Sequence, residues 1–262
     1  PSPAPFAYRN HCRFHRAPGG WGFRTRRGAR VVRLDGCRLA LPAIDAWLRA
    51  MEGRPGPEQI AVRCLGGALA TSLEPRPLEA TVAGHRYRVS PGSFFQVNSL
   101  LLPGLVRLVV ERLHLDGGET VVDAYAGVGL FTAPLAARAR RVVAVEAGPA
   151  AAADARANLA PFANVEVVAG RVEAVVAALP ERLDAVVLDP PRAGCAPGVL
   201  AAVAARRPDR IVQVACDTAT FARDAGRLAA LGYRLVEVVP VDLFPQTFHV
   251  ETVALWRPRE PR

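Results

Sequence analysis

From about residue 117 to the end of the chain, short apolar runs of strand length alternate with Ala-, Leu- and Arg-rich stretches of helical length. The apolar runs cover residues 120–124, 141–146, 165–169, 184–189, 210–215, 234–242 and 251–256. Helical stretches fall between them at 150–159, 172–179, 198–204 and 220–231. Such alternation predicts an α/β fold built on a doubly wound, mostly parallel sheet. No helical stretch separates the last two runs, so they are expected to pair as an antiparallel edge.

The first 90 residues have a different texture. They are rich in Arg, Gly and Pro, with alternating runs at 29–33 and 80–84 and a short helix expected at 42–51. This predicts a small N-terminal α+β domain over 1–90, followed by a larger domain over 91–262 that includes a linker helix at 99–115. The chain shows no internal repeat.

Charge is concentrated at one end. The formal net charge is +9, and all 33 basic residues are arginine, which together with the alanine content reads as base bias. Residues 1–40 hold Arg9, Arg13, Arg16, Arg24, Arg26, Arg27, Arg30, Arg33 and Arg38 against one acid, Asp35. Phe6, Tyr8, Phe14, Trp21 and Phe23 are interleaved with them. Clustered arginine beside aromatics suits a phosphate backbone with stacked bases, so RNA or DNA is the expected partner. The alternative is a solvated, arginine-rich hairpin.

The five cysteines are odd in number and lack a C-x-x-C pair, so neither a disulfide framework nor a zinc site is read from them. With no membrane-length apolar stretch and no signal pattern, a soluble, cytoplasmic protein is expected, and a monomer. The first residue is Pro1, so an N-terminal part is expected to be absent from this sequence.

The run Val121-Val-Asp123-Ala-Tyr125-Ala-Gly127-Val-Gly129-Leu-Phe131 has the form strand, acid, glycine turn, helix. Glycines there let the backbone approach a ligand at the helix start. Glu146 ends the next strand about twenty residues on, where a carboxylate suits a ribose diol. Lacking a third glycine at dinucleotide spacing, the turn favours S-adenosylmethionine over NAD. Tight strand–helix packing is the structural alternative for the two glycines.

Three further stretches suggest covalent chemistry on a flat, electron-poor ring. Asp189-Pro-Pro-Arg192 closes the fourth strand, Cys216 ends the fifth, and Glu251 opens the last. Methyltransferases acting on exocyclic nitrogens have an aromatic after the proline pair, and Arg192 there argues against N-methylation. A thiol can add to the ring, and a carboxylate can remove a proton from it. The helix start behind Cys216 is expected to depress the thiol pKa.

Together these stretches resemble the S-adenosylmethionine-dependent RNA 5-methyluridine methyltransferases. The resemblance is carried by Ser93-Phe-Phe-Gln-Val-Asn-Ser99, Asp123-Ala-Tyr-Ala-Gly-Val-Gly129, Asp189-Pro-Pro-Arg-Ala-Gly194, Cys216 with its flanks, and Phe244-Pro-Gln-Thr-Phe-His-Val-Glu-Thr-Val-Ala-Leu255. It extends to Tyr8-Arg-Asn10 and Gly20-Trp-Gly-Phe23. It implies a class I methyltransferase sheet and a methyl transfer to C5 of a uridine in tRNA or rRNA. Gln96, Tyr125, Glu146 and Asp189 would line the S-adenosylmethionine site, with Cys216 as nucleophile and Glu251 as base. Phe94, Phe95 and the N-terminal arginines would help take the uridine out of its stack.

Three positions depart from the family. Cys216-Asp217-Thr218 replaces Cys-Asn-Pro, Leu130 stands where Asn is common, and Arg171 stands where a short polar or acidic residue is common. Longer members carry an N-terminal RNA-binding barrel and a cysteine-rich segment for an iron–sulfur cluster. Cys37 matches the last cluster ligand, so a cluster is expected only in a longer chain. The other readings left open are a 5-methylcytosine enzyme, a nonenzymatic RNA-binding or RNA-folding module, and a dinucleotide-dependent oxidoreductase.

Overall fold

The computed structural model describes residues 1–262 apart from 26, 27, 29, 180–182 and 260–262. Five antiparallel strands open the chain: β1 (His11–Ala17), β2 (Gly20–Arg24), β3 (Val31–Arg33), β4 (Gln59–Leu65) and β5 (Ala68–Thr71), in the order β3-β2-β1-β4-β5. Helix α1 (Pro42–Ala50) starts on a proline, whose fixed φ suits a first turn. Its buried Ile44 and Leu48 join Phe14, Trp21, Ile60 and Val62 in a separate small core.

A hairpin of β6 (Leu78–Val82) and β7 (His85–Val89) follows, with alternate residues buried along both strands. Its apolar face does not join the small core. Leu78, Val82, Tyr87 and Val89 pack with Leu102, Leu105 and Val106 of α2 (Leu102–Arg112), in the core beneath the larger sheet. The Tyr87 hydroxyl donates to the Leu130 carbonyl at 3.0 Å. The linker helix is shorter than the expected 99–115. Pro103 falls in its first turn, and His114, at φ 45°, leaves the helical region just past its end.

The larger sheet contains β8 (Thr120–Ala124), β9 (Arg141–Glu146), β10 (Val165–Ala169), β11 (Ala185–Leu188), β12 (Arg210–Ala215), β13 (Tyr233–Val241) and β14 (Glu251–Pro258). Their order is β10-β9-β8-β11-β12-β14-β13. The pairs among β8 to β12 are all parallel, while β14 runs antiparallel to both neighbours. The antiparallel pair does lie at the sheet edge. Within it, β14 takes the inner place and β13 the rim.

Helices α3 (Thr132–Ala136), α4 (Pro149–Leu159), α5 (Val172–Ala178), α6 (Val199–Ala205) and α7 (Thr218–Ala230) connect the strands. One sheet face (Val121, Val142, Val187, Val212) belongs to the core shared with α2 and the hairpin. The other (Val122, Val143, Val186, Ile211) packs with Val176, Val203 and Leu228 of α5, α6 and α7. Strand order reverses beside β8, between β8 and β11. Ligands of open α/β sheets bind outside the carboxyl ends of the strands at such a switch point. The glycine turn leaves β8 there, and Asp189-Pro-Pro leaves β11. Among the described residues no helix is long and apolar enough to cross a membrane.

Buried polar contacts join the first sheet to the second. Asn10 Nδ2 donates to the Gln96 carbonyl at 2.9 Å and to Ser99 Oγ at 2.8 Å. Asn98 Nδ2 donates to the Leu243 carbonyl at 3.0 Å, and Tyr8 Oη to the Pro245 carbonyl at 3.0 Å. Three sequence motifs, around Tyr8, Asn98 and Pro245, thus meet in one joint.

Candidate active site

Glu146 holds the glycine turn. One carboxylate oxygen accepts from Gly127 N at 2.9 Å, and the other accepts from Gly148 N at 2.6 Å. Each oxygen keeps a further lone pair for a ligand. A Cβ on Gly127 would meet nothing within 4 Å, so the backbone there faces open space; a Cβ on Gly129 would lie 2.9 Å from Leu159. Helix packing thus accounts for Gly129, while the space before Gly127 leaves room for a ligand.

Tyr125 takes φ 65°, an uncommon conformation for a side chain of its size. Its hydroxyl accepts from Ala196 N at 3.2 Å, tying the glycine turn to the chain beyond Asp189-Pro-Pro. Asp123, fully buried, accepts from Thr132 Oγ1 at 2.5 Å through Oδ2, while Oδ1 has no partner. Burial pushes its pKa up to about 7. An acid inside an apolar strand was the visible signal for this group, which the sequence reading left without a role.

Cys216, Glu251 and Asp189 come together where β12, β14 and β11 end. Ala215 pairs with Thr252, so Cys216, the first residue beyond β12, lies beside Glu251, the first of β14. Glu251 is 1% exposed and its Oε2 has no partner. Burial, and then Asp189, push its pKa up to about 8. Burial pushes Asp189 up to about 7, against a lowering hydrogen bond from the Gln96 side chain. Gln96 is itself buried. Gln96, Asp189, Glu251 and Cys216 therefore form one group, with Glu146 and Tyr125 across the switch point on the glycine turn.

The expected depression of the thiol pKa does not occur. Burial, then Glu251 and Asp189, push Cys216 up to about 11; its own backbone N–H and Arg192 pull the other way without prevailing. The helix start is also already occupied. Asp217 caps α7, accepting from Ala219 N at 3.1 Å and Thr220 N at 3.0 Å, and Arg192 lies 3.6 Å from its carboxylate.

Around this group, Phe94 is 64% exposed whereas Phe95 is buried in the core and cannot reach a base. Phe248 is 66% exposed and has its ring 4.1 Å from that of His249. Leu130 is buried in the same core, and Arg171 is exposed and paired with Glu173.

On the first sheet, Arg13, Arg16, Arg24, Arg30, Arg33 and Arg38 are exposed; Arg26 and Arg27 lie outside the described residues. The aromatic half of the basic–aromatic pattern has another use. Tyr8, Phe14 and Trp21 are buried, with Phe14 stacked on Phe23 at 5.2 Å, so they pack the core rather than offer faces to bases. Cys37 is buried, and a hydrogen bond from the Cys12 thiol lowers its pKa to about 6. Among the described residues no group of three or more side chains could hold a metal ion.

The family model for tRNA (uracil-5-)-methyltransferase matches residues 77–258. A protein of Gloeobacter violaceus named as an uncharacterized RNA methyltransferase is 46% identical over 179 residues, which is 68% of this chain and 39% of that protein. Another of that name, from Geobacter sulfurreducens, is 46% identical over 194 residues, 71% of this chain and 38% of its own length. The chain thus spans about two fifths of these relatives. Among solved structures, the Pyrococcus abyssi tRNA (uracil-54, C5)-methyltransferase in complex with S-adenosyl-L-homocysteine aligns with a TM-score of 0.75 and 26% identity, over 98% of this chain and 77% of that one.

Proposed function

We propose, from the premise that this chain belongs to the tRNA (uracil-5-)-methyltransferase family, that it transfers a methyl group from S-adenosylmethionine to C5 of a uridine in RNA through a covalent adduct on Cys216. The observation that carries this reading is the meeting of Cys216 with the buried carboxylate of Glu251, whose Oε2 has no partner. The same reading assigns RNA contact to the unit formed by residues 1–90 and chemistry to residues 91–262. The β6–β7 hairpin packs with the second.

The residues fit the cofactor. Glu146 offers spare lone pairs at the end of β9, the backbone at Gly127 is open, and Gln96, Tyr125 and Asp189 complete the set around the switch point. When bound, S-adenosylmethionine supplies an electrophilic methyl on a positively charged sulfur, and that charge lowers the pKa of thiol and carboxylate alike.

C5 of uracil is a poor nucleophile. Addition of the Cys216 thiolate to C6 moves the ring electrons toward O4 and makes C5 electron-rich. Once C5 carries the new methyl, it still holds its proton. The Glu251 carboxylate removes that proton, the C5–C6 double bond re-forms, and the C6–S bond breaks to return the thiolate. Glu251 is suited to this by burial, which makes it a stronger base than an ordinary carboxylate.

The test uses labelled S-adenosylmethionine, uridine-containing RNA and nucleoside analysis. The parent protein is expected to form 5-methyluridine. Cys216→Ala should form neither product nor adduct, because C5 is never activated. Glu251→Gln should add to the ring and methylate it, then stall as a denaturant-resistant protein–RNA band that carries the label. Label in 5-methylcytidine would move the substrate to cytosine. Normal turnover by Cys216→Ala would remove the covalent route.

A further inference from the structure

A groove away from Cys216 opens between the first sheet and the β6–β7 hairpin. It has a volume of about 60 Å³ and is lined by His11, Arg63, Thr71, Ser72, Arg76 and Leu78 among others, with no acid among them. That is room for several waters, hence for a tetrahedral oxyanion.

Arg63 is only 9% exposed, yet its guanidinium has one hydrogen bond, a long 3.4 Å contact to the Ser90 carbonyl. The acid that acts on it electrostatically, Asp154, is already engaged. Asp154 accepts from Ser90 N at 2.6 Å, Ser90 Oγ at 2.7 Å and Ser93 Oγ at 2.6 Å, and Arg88 lies 3.4 Å away. A buried cation with so little compensation is costly unless an anion joins it.

The rest of the lining agrees. Arg76 donates to the Leu69 carbonyl at 2.7 Å with one nitrogen and keeps other donors. The Thr71 and Ser72 hydroxyls each accept from backbone N–H groups, which leaves their protons to donate. Burial, then Arg63, Arg13 and Arg9, lower the His11 pKa to about 4, so the imidazole is neutral and the positive potential of the groove is already high. Pro91, also in the lining, lies two residues before Ser93-Phe-Phe-Gln96, which leads to the catalytic group.

We propose that this groove binds a phosphate group through Arg63 and Arg76, and that during the reaction the phosphate is a backbone phosphodiester of the RNA. The first part stands on the groove alone; the second rests on the RNA reading above. Occupancy would fix the strand at one point while the target base is taken out toward Cys216.

Thermal unfolding in inorganic phosphate, against chloride at equal ionic strength, reads the first part. The parent should be stabilised by phosphate, and Arg63→Met and Arg76→Gln should each lose that response. Arg63→Met should be no less stable than the parent in chloride, because it removes an under-compensated buried charge. A less stable Arg63→Met that keeps the phosphate response would make Arg63 structural and overturn the site. Fluorescence anisotropy with a single-stranded uridine-containing RNA reads the second part. Each variant should lower the slope of log affinity against log salt by about 1, with S-adenosylmethionine affinity unchanged. A lost phosphate response with an unchanged RNA slope would leave a free-anion site and overturn the backbone assignment. A parent that responds to phosphate but binds no RNA would overturn the RNA reading and leave the groove standing.

Discussion

Glu251 carries its proton to about pH 8 in the folded chain, against an ordinary value of 4.5. Between those values the folded state binds more protons than the unfolded one. The group's contribution to stability is therefore full below its unfolded pKa and is lost as pH rises through the folded value. Glu251→Gln mimics the protonated form at every pH. Relative to the parent it should gain about 1–3 kcal/mol between roughly pH 5 and pH 9, which denaturant unfolding at the two ends would measure. Parallel curves for the two proteins would put the buried ionisation on another acid, with Asp189 and Asp123 the next candidates. Turnover has the opposite slope. It needs the thiolate to add to C6 and the carboxylate to take the C5 proton afterwards, so its rate should rise with pH through neutrality, since both pKa values are raised.

The turn between β8 and α3 shows how two glycines in one motif serve different ends. Gly129, at φ 90°, would press a Cβ against Leu159 of α4, whereas Gly127, at φ 57°, has empty space before it. Gly129→Ala combines a left-handed backbone with overpacking and should cost about 2–4 kcal/mol of stability. Gly127→Ala carries the backbone strain alone, about 1–2 kcal/mol, but intrudes on the ligand side. Calorimetry should therefore find S-adenosylmethionine binding weakened more in Gly127→Ala, while denaturation finds Gly129→Ala the less stable. The reverse ranking in either measurement would exchange the two roles.

Across the whole molecule, Asn10 is the point where the arginine-bearing sheet reaches the group around Cys216. Its side chain holds the Gln96 carbonyl, and the Gln96 side chain in turn hydrogen-bonds Asp189. Asn10→Ala would leave that buried carbonyl without its donor and should cost about 1–3 kcal/mol. It should also lower the methylation rate by shifting Gln96 and Asp189. The salt dependence of RNA binding should stay as in the parent, because the exposed arginines are untouched. A variant that loses RNA affinity but keeps its turnover rate would place the joint's role in binding instead.

The parallel sheet was legible in the chain because strands buried on both faces must be continuously apolar, and the runs at β8, β9 and β12 fall where the alternation put them. Cys216, Asp189 and Glu251 were legible because polar groups at the ends of such strands have few structural reasons to be there. Side-chain type, however, does not encode environment. The thiol was expected to ionise easily beside a helix start, and only the fold buried it and set the Glu251 and Asp189 carboxylates near enough to raise its pKa instead. Likewise, arginines and aromatics alternate along residues 1–40, but strand pairing and α1 turned Phe14 and Trp21 inward and left arginines outside. The β6–β7 hairpin reads as part of the N-terminal β region, yet its apolar face joins the core beneath the larger sheet, and β7 lies against α4. Local pattern fixes which face of an element is apolar; the partner that covers the face is chosen by contacts far apart in the chain.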